Sequence, residues 1–267
     1  MKNHPVIWLD GRFQPASGAL VPHDDAGYLR GLGVFDTMKG ANGQAVNAKE
    51  HLERLQNHCR MVLLHDPALD IDALAATAQR LLVKNGLTEG YARIRTQITA
   101  GRVTEMFGKP QNPIIMMMAV RADIPPTPQP VSLQIIADAP RIARCRYENC
   151  KRLDYTRSYL AKHLAVQAGA DDALITNTDG NMACATTSNL FIVEGGKLVT
   201  PPLTDGVLDG ITRRSMIATY HASEESISET RLMKAEGVLL TNSILGLRPV
   251  KSINGTAFAV PPDKFLK

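Results

Sequence analysis

Four prolines within ten residues, in the stretch RADIPPTPQP (Arg121 to Pro130), constrain this chain more than any other feature. Each proline locks φ and removes a backbone donor, so the stretch cannot run through a central strand or a helix. It reads as an extended connection and divides the 267 residues into halves of similar size. The expected division is a folded part over residues 1–119, a linker over 120–130 and a second folded part over 131–267. With 44% hydrophobic residues, each half has enough apolar material for its own core.

The first half mixes periodicities. VIWLDGRF and QAVNA read as short strands beside turns. EHLERLQNHCRMVLL places Leu52, Leu55, Cys59 and Val62 on one helical face. DALAATAQRLLVKNG is a second helix, closed by Gly86. YARIRTQITAG alternates Ala92, Ile94, Thr96 and Ile98 with Tyr91, Arg93, Arg95 and Gln97, the pattern of a half-buried strand with a basic face. PIIMMMAV reads as a buried strand. The second half is richer in strands: VSLQIIADA, then a run from DALITN to KLVTPP broken at TDGN and EGG, then EGVLLTNSILGLRPVKSING. Its helices are DYTRSYLAKHLAVQAGA and DGITRRSMIATYHA. The fold class is therefore α+β: a smaller N-terminal α/β domain and a larger C-terminal, strand-rich, barrel-like domain.

Several function classes are disfavoured. The net charge is +4, but no block of Lys and Arg interleaves with aromatics, which argues against nucleic acid. The longest apolar run, IIMMMAV, is too short to cross a bilayer, and MKNHPVIWLDG lacks the apolar core of a signal peptide. The four cysteines, Cys59, Cys145, Cys150 and Cys184, have no CxxC or zinc spacing. No metal site is expected, and free thiols fit a reducing cytoplasm. His51 and His58, seven apart on a helix, read as surface residues rather than ligands.

Other stretches hold more polar detail than packing needs. GITR opens a helix, whose free N–H groups form a natural phosphate seat. LLTNS ends an apolar strand in hydroxyls. Arg54 sits on the polar side of an apolar helix. Lys151 leads the helical pattern of CKRLDYTRSYLAKHL. Each also has a plain reading as a helix start, a strand end or a solvated charge. GLGVFD is not a dinucleotide fingerprint, because Asp36 replaces the last glycine.

Seven segments, in order, change the weight of these signals: RGLGVFDT, HLERL, KRLDY, GADDALITNTDG, TTSNLFIV, TPPLTDGVLDGITR and LLTNSILGLRPV. Together they resemble the class IV aminotransferases, the fold-type IV enzymes that use pyridoxal 5'-phosphate (PLP). The resemblance runs from about His23 to Val250. It implies that Lys151 is the lysine that bonds covalently to PLP and then acts as a base at the substrate carbon. It further implies cofactor contacts from Arg54, Tyr155, Ile211, Thr212 and Ser243, the last three and Arg54 at the phosphate. Asn189 is expected to be structural. A homodimer acting on a small amine and carboxylate substrate is also implied.

The sequence departs from that family at three places. Where the family carries a glutamate that pairs with the pyridine nitrogen, this chain has Cys184. A thiol, with an ordinary pKa of about 8.5, supports a protonated ring far less well. The alternative is a small buried thiol with no part in the chemistry. Asp36 stands where glutamate is commoner, and Asp154 where asparagine is. Within the family, LLTNSILGLRPV and KRLDY most resemble aminodeoxychorismate lyases, which form 4-aminobenzoate and pyruvate for folate. On that resemblance Thr37 joins Lys151 as a catalytic candidate, and Tyr28, Arg30 and Arg95 are candidate substrate contacts. D-amino acid transamination is the alternative, although its arginine–histidine pair is not visible in AGRVTEMFG. A branched-chain aminotransferase fits less well, because that enzyme's longer lysine-glycine-glycine-asparagine-tyrosine stretch is missing. An alternative of another class is a non-catalytic relative that binds PLP.

Overall fold

A computed structural model describes residues 5–62, 67–105 and 107–265. The chain divides into two compact units: Met1–Ile124 with Cys150–Asp154, and Pro125–Asn149 with Tyr155–Lys267. The linear reading places Cys150–Asp154 in the second half, whereas the contacts place it in the first unit.

The first unit is a six-stranded antiparallel sheet in the order β2-β1-β6-β5-β3-β4. Its strands are β1 (Val6–Leu9), β2 (Arg12–Pro15), β3 (Gly33–Ala41), β4 (Gln44–Ala45), β5 (Tyr91–Thr99) and β6 (Ile115–Arg121). Its helices are α1 (Ala26–Arg30), α2 (Ala48–Val62) and α3 (Ile71–Lys84). The helix expected to reach Leu64 is seen to Val62, and Leu63 and Leu64 lie outside the described residues. α3 begins where Asp70 Oδ1 accepts from the Ala73 N–H at 2.9 Å, one of the donors that a helix start leaves unpaired.

The period-2 pattern of β3 and β5 separates two faces. Val34, Met38, Ile94 and Ile98 pack with Met117 and Ala119 of β6 against Leu52, Leu55 and Cys59 of α2 and Leu81 and Leu82 of α3. The opposite face carries Phe35, Thr37, Arg95 and Gln97 in register: Thr37 lies across from Arg95, and Phe35 from Gln97. β6 differs from the buried strand expected. Only Met117 and Ala119 are buried in it, because Met116 and Met118 stand across from Gln97 and Arg95 on the second face.

The second unit contains a closed strand ring. Its nine-stranded sheet includes the path β10-β13-β14-β7-β8-β9, and β9 pairs back onto β10 through Cys184 and Asn189. The strands are β7 (Val131–Arg141), β8 (Asp172–Asn177), β9 (Met182–Ala185), β10 (Asn189–Glu194), β11 (Lys197–Thr200), β12 (Ser223–Glu224), β13 (Gly237–Asn242), β14 (Gly246–Ile253) and β15 (Thr256–Ala257). Leu133, Leu174, Leu190, Ile192, Val238, Leu240 and Val250 form one core. The alternate residues are covered as well. Phe191, Val193 and Leu239 pack with Met216 of α5 (Ile211–Tyr220), and Ala173 and Ile175 pack with Ala161 and Ala165 of α4 (Thr156–Gln167). Strands covered on both faces read as unbroken apolar runs, which is why DALITN and NLFIV show little alternation.

Candidate active site

The lysine segment is clamped to the first unit by backbone pairing. Phe35 N–H donates to Lys151 O at 2.8 Å, and Leu153 N–H donates to Gly33 O at 2.9 Å. The approach is so close that a Cβ on Gly33 would lie 2.4 Å from Leu153 Cδ1 and 2.7 Å from Ile98 O. We expect Gly33→Ala to displace this segment and reduce the amount of cofactor that borohydride fixes on Lys151, measured by mass spectrometry. Unchanged labelling would refute the clamp.

Lys151 Nζ lies 4.4 Å from the Phe35 ring centroid, and the Arg95 guanidinium carbon lies 3.7 Å from the same centroid. Arg95 Nε also donates to Gln97 Oε1 at 3.2 Å. Thr37 shares this face with Arg95 through their register. The first unit therefore brings Lys151, Phe35, Thr37 and Arg95 together. It does not gather Tyr28 and Arg30 among them: both sit on α1, where Tyr28 is 75% exposed and Arg30 is exposed.

Beneath that face is a charge cluster that the sequence reading missed. Asp36 is fully buried. Its Oδ1 accepts from Arg54 Nη2 at 2.8 Å and lies 2.8 Å from His51 Nδ1, and its Oδ2 accepts from Arg54 Nε at 2.8 Å. The fork fixes the plane of the guanidinium. Burial opposes the charge on Asp36, but Arg54 and His51 outweigh it and hold the carboxyl well below the ordinary carboxylate range. His51 and His58 are thus buried, against expectation. His58 Nδ1 accepts from the Lys151 N–H at 3.3 Å. Among the described residues no group of three His, Cys, Asp or Glu is arranged to hold a metal.

The second unit carries the other candidates. α5 starts at Ile211 and Thr212 after Gly210, with no side-chain cap on its N-terminus. Gly210 presses on Asn189: a Cβ there would lie 2.2 Å from Asn189 Oδ1. Asn189 Nδ2 donates to Leu208 O at 2.8 Å, so this residue shapes the approach to the helix. Thr241 lies across from Asn189 in the sheet, and its buried Oγ1 has no partner among the described residues. Ser243 follows in the turn after β13. Free helix N–H groups, an unpaired buried hydroxyl and Ser243 form a donor set suited to a phosphate. Tyr155 directly precedes α4, and its hydroxyl donates to Thr186 O at 3.4 Å.

Cys184 sits where the strand ring closes, 9% exposed and packed with Ala183, Val207 and Leu203. Burial pushes its thiol up, partly opposed by Arg141. Close by, Glu148 is 2% exposed. Its Oε2 lies 2.5 Å from Arg157 Nη1 and 3.1 Å from Arg141 Nε. Neither Glu148 nor Arg157 was singled out by sequence, because their spacing follows no strand or helix period.

Comparison with known proteins identifies the family. The family model for amino-transferase class IV matches residues 33–253. The D-alanine aminotransferase of Staphylococcus epidermidis is 27% identical over 93% of this chain and 89% of its own. The aminodeoxychorismate lyase of Bacillus subtilis is 26% identical over 93% and 86%. Among solved structures, the branched-chain aminotransferase of Thermoproteus uzoniensis with norvaline superimposes with a TM-score of 0.90 at 24% identity, covering 98% of this chain and 92% of that one. The chain belongs to the class IV aminotransferase family and has the fold-type IV architecture. It is a PLP-dependent enzyme.

Proposed function

We propose that this enzyme is of the 4-amino-4-deoxychorismate lyase type, releasing 4-aminobenzoate and pyruvate in folate biosynthesis. The observation that carries the reading is Cys184. A buried thiol that stays neutral occupies the position where the family resemblance calls for a carboxylate. PLP, when bound, supplies an electron sink for the pair left at the carbon bearing the substrate amine. A neutral thiol supports that sink weakly. Transamination, which expels no leaving group, would depend on that sink throughout. Elimination instead discharges the electrons into a leaving oxygen, and the substrate ring becomes aromatic. The balance is complete: one ring proton leaves, the C–O bond breaks, and the departing enolate oxygen takes up one proton, giving the enol that rearranges to pyruvate.

The residues take these roles. From the first unit Arg54, and from the second the Ile211–Thr212 helix start and Ser243, would bind the phosphate. Tyr155 would bind the cofactor near its phenolic oxygen. Lys151 holds the cofactor covalently, then takes the ring proton. Thr37 donates a proton toward the departing oxygen from the same sheet face. Arg95, stacked on Phe35, pairs with a substrate carboxylate. Tyr28 and Arg30 are left as outer substrate contacts. A homodimer in the cytoplasm completes the reading. Among the described residues no helix is long and apolar enough to cross a membrane.

The test offers aminodeoxychorismate and a panel of D- and L-amino acids, following 4-aminobenzoate and keto acid together. The expected result is 4-aminobenzoate release well above keto-acid release. The reverse would favour a D-amino acid transaminase; the S. epidermidis relative is named a D-alanine aminotransferase. A further expectation concerns Cys184→Glu. One charged hydrogen bond is worth roughly 1.5–3 kcal/mol. Realised in the transition state, that raises half-transamination on the order of 10- to 100-fold. Single-turnover conversion of PLP to its amine form measures this, and equal rates in a folded, loaded variant would remove Cys184 from the pyridine nitrogen.

A further inference from the structure

Glu148 is a buried carboxylate with no part in the reading above. A single acid at 2% exposure holds two guanidiniums, Arg157 from α4 and Arg141 from the end of β7. Such an ion cluster costs several kcal/mol in desolvation, so it stabilises the fold weakly at best and points to another use. Its surroundings lead to Cys184. Arg141 Nε donates to Gly206 O at 2.7 Å. Asn149, next to Glu148, donates through Nδ2 to Leu203 O at 2.8 Å and Val207 O at 2.6 Å. Leu203 and Val207 are the residues packed on Cys184. The cluster therefore holds the segment that covers the thiol.

We propose that Glu148 is a positioning residue that acts through Cys184: by pairing both arginines it adds to burial in keeping the 184 position an uncharged S–H donor toward the cofactor's pyridine nitrogen. The charged groups acting on that thiol are Arg141 of β7, Glu148 of the turn before Lys151, Arg157 of α4 and Asp172 of β8. Asp172 is itself engaged, accepting from Thr186 Oγ1 at 2.6 Å. Two cations and two anions act on the sulfur, and Lys162 Nζ lies 3.9 Å from Asp172 Oδ1. Removing Glu148 leaves two cations against one anion, which favours thiolate.

The role toward the cofactor rests on the placement of Cys184 in the preceding section. The thiol itself is read without cofactor. Thiolate absorbance near 240 nm is titrated in the cofactor-free full chain, with the matching Cys184→Ser variant subtracted in each background to remove the other three cysteines. We expect Glu148→Gln to lower the Cys184 midpoint by about one pH unit. Adding Arg157→Gln to that variant moves the midpoint back up, and Glu148→Asp keeps it near wild type. A purely structural cluster predicts otherwise: loosening exposes the thiol, so the double variant would titrate as low as Glu148→Gln or lower. That result, or an unmoved midpoint in Glu148→Gln, overturns the proposal. Failure of the underlying placement looks different. Cys184→Ser would then leave the visible band of the PLP-loaded protein unmoved, and the role toward the pyridine nitrogen falls whatever the thiol does.

Discussion

Lys151→Ala abolishes turnover and the covalent retention of cofactor, while the fold persists. Positioned acid–base groups contribute roughly 10²- to 10⁴-fold each, and Lys151 is here both the attachment point and the base, so the loss reaches or exceeds that range. The fold survives because what ties this residue to the sheet is backbone: the Phe35 N–H to Lys151 O bond and the neighbouring Leu153 to Gly33 bond both remain. The side chain contributes its Nζ over the Phe35 ring, and its loss leaves a small void on a sheet face rather than in the helix-covered core. The phosphate donors are elsewhere, so PLP still binds, but reversibly. It should dialyse away and resist fixation by borohydride, while unfolding in urea stays near that of the parent. Retained activity on any amine substrate would refute the assignment of Lys151.

The sequence made some of this legible and hid the rest for identifiable reasons. The alternation of Ala92, Ile94, Thr96 and Ile98 marks the helix-covered side of β5, because a strand buried on one face must alternate. The spacing of Leu52, Leu55 and Cys59 gave the buried face of α2 in the same way. Periodicity also misled. It assigns polar residues outward, so His51 and His58 read as surface, yet a buried acid fifteen residues before His51 pairs with it. That partner, Asp36, sits in an apolar strand, and nothing local marks it as the anchor of Arg54. The pairing of Val34 with Arg152 was hidden because it joins residues on opposite sides of the proline stretch. Lys151 stands out through motifs in series rather than through any property of its own neighbourhood. Arg30 opens a matched motif and Tyr28 lies two residues before it, which says nothing of whether their side chains turn toward the lysine.

Asp36→Asn tests the other deeply buried element of the first unit, and the expected effect is on stability. Replacing one oxygen by an amide leaves Arg54 buried with its charge uncompensated. Breaking a buried pair in this way costs about 3–5 kcal/mol. The effect depends on pH in a fixed direction. The carboxyl of Asp36 is depressed in the folded protein. Its contribution is therefore present in full above the ordinary aspartate value, about 3.9, and is lost as pH falls below it toward the depressed value. Above pH 5 the variant should unfold at lower urea than the parent, and the gap should close on acidification below pH 4. Cofactor adds a second discriminating arm. If Arg54 also holds the phosphate dianion, bound PLP returns negative charge to the same guanidinium. The deficit of the variant is then larger in cofactor-free protein than in protein saturated with PLP, beyond the stabilisation that ligand binding gives the parent. An equal deficit in both states would leave Asp36 as the structural partner of Arg54 and remove Arg54 from the phosphate.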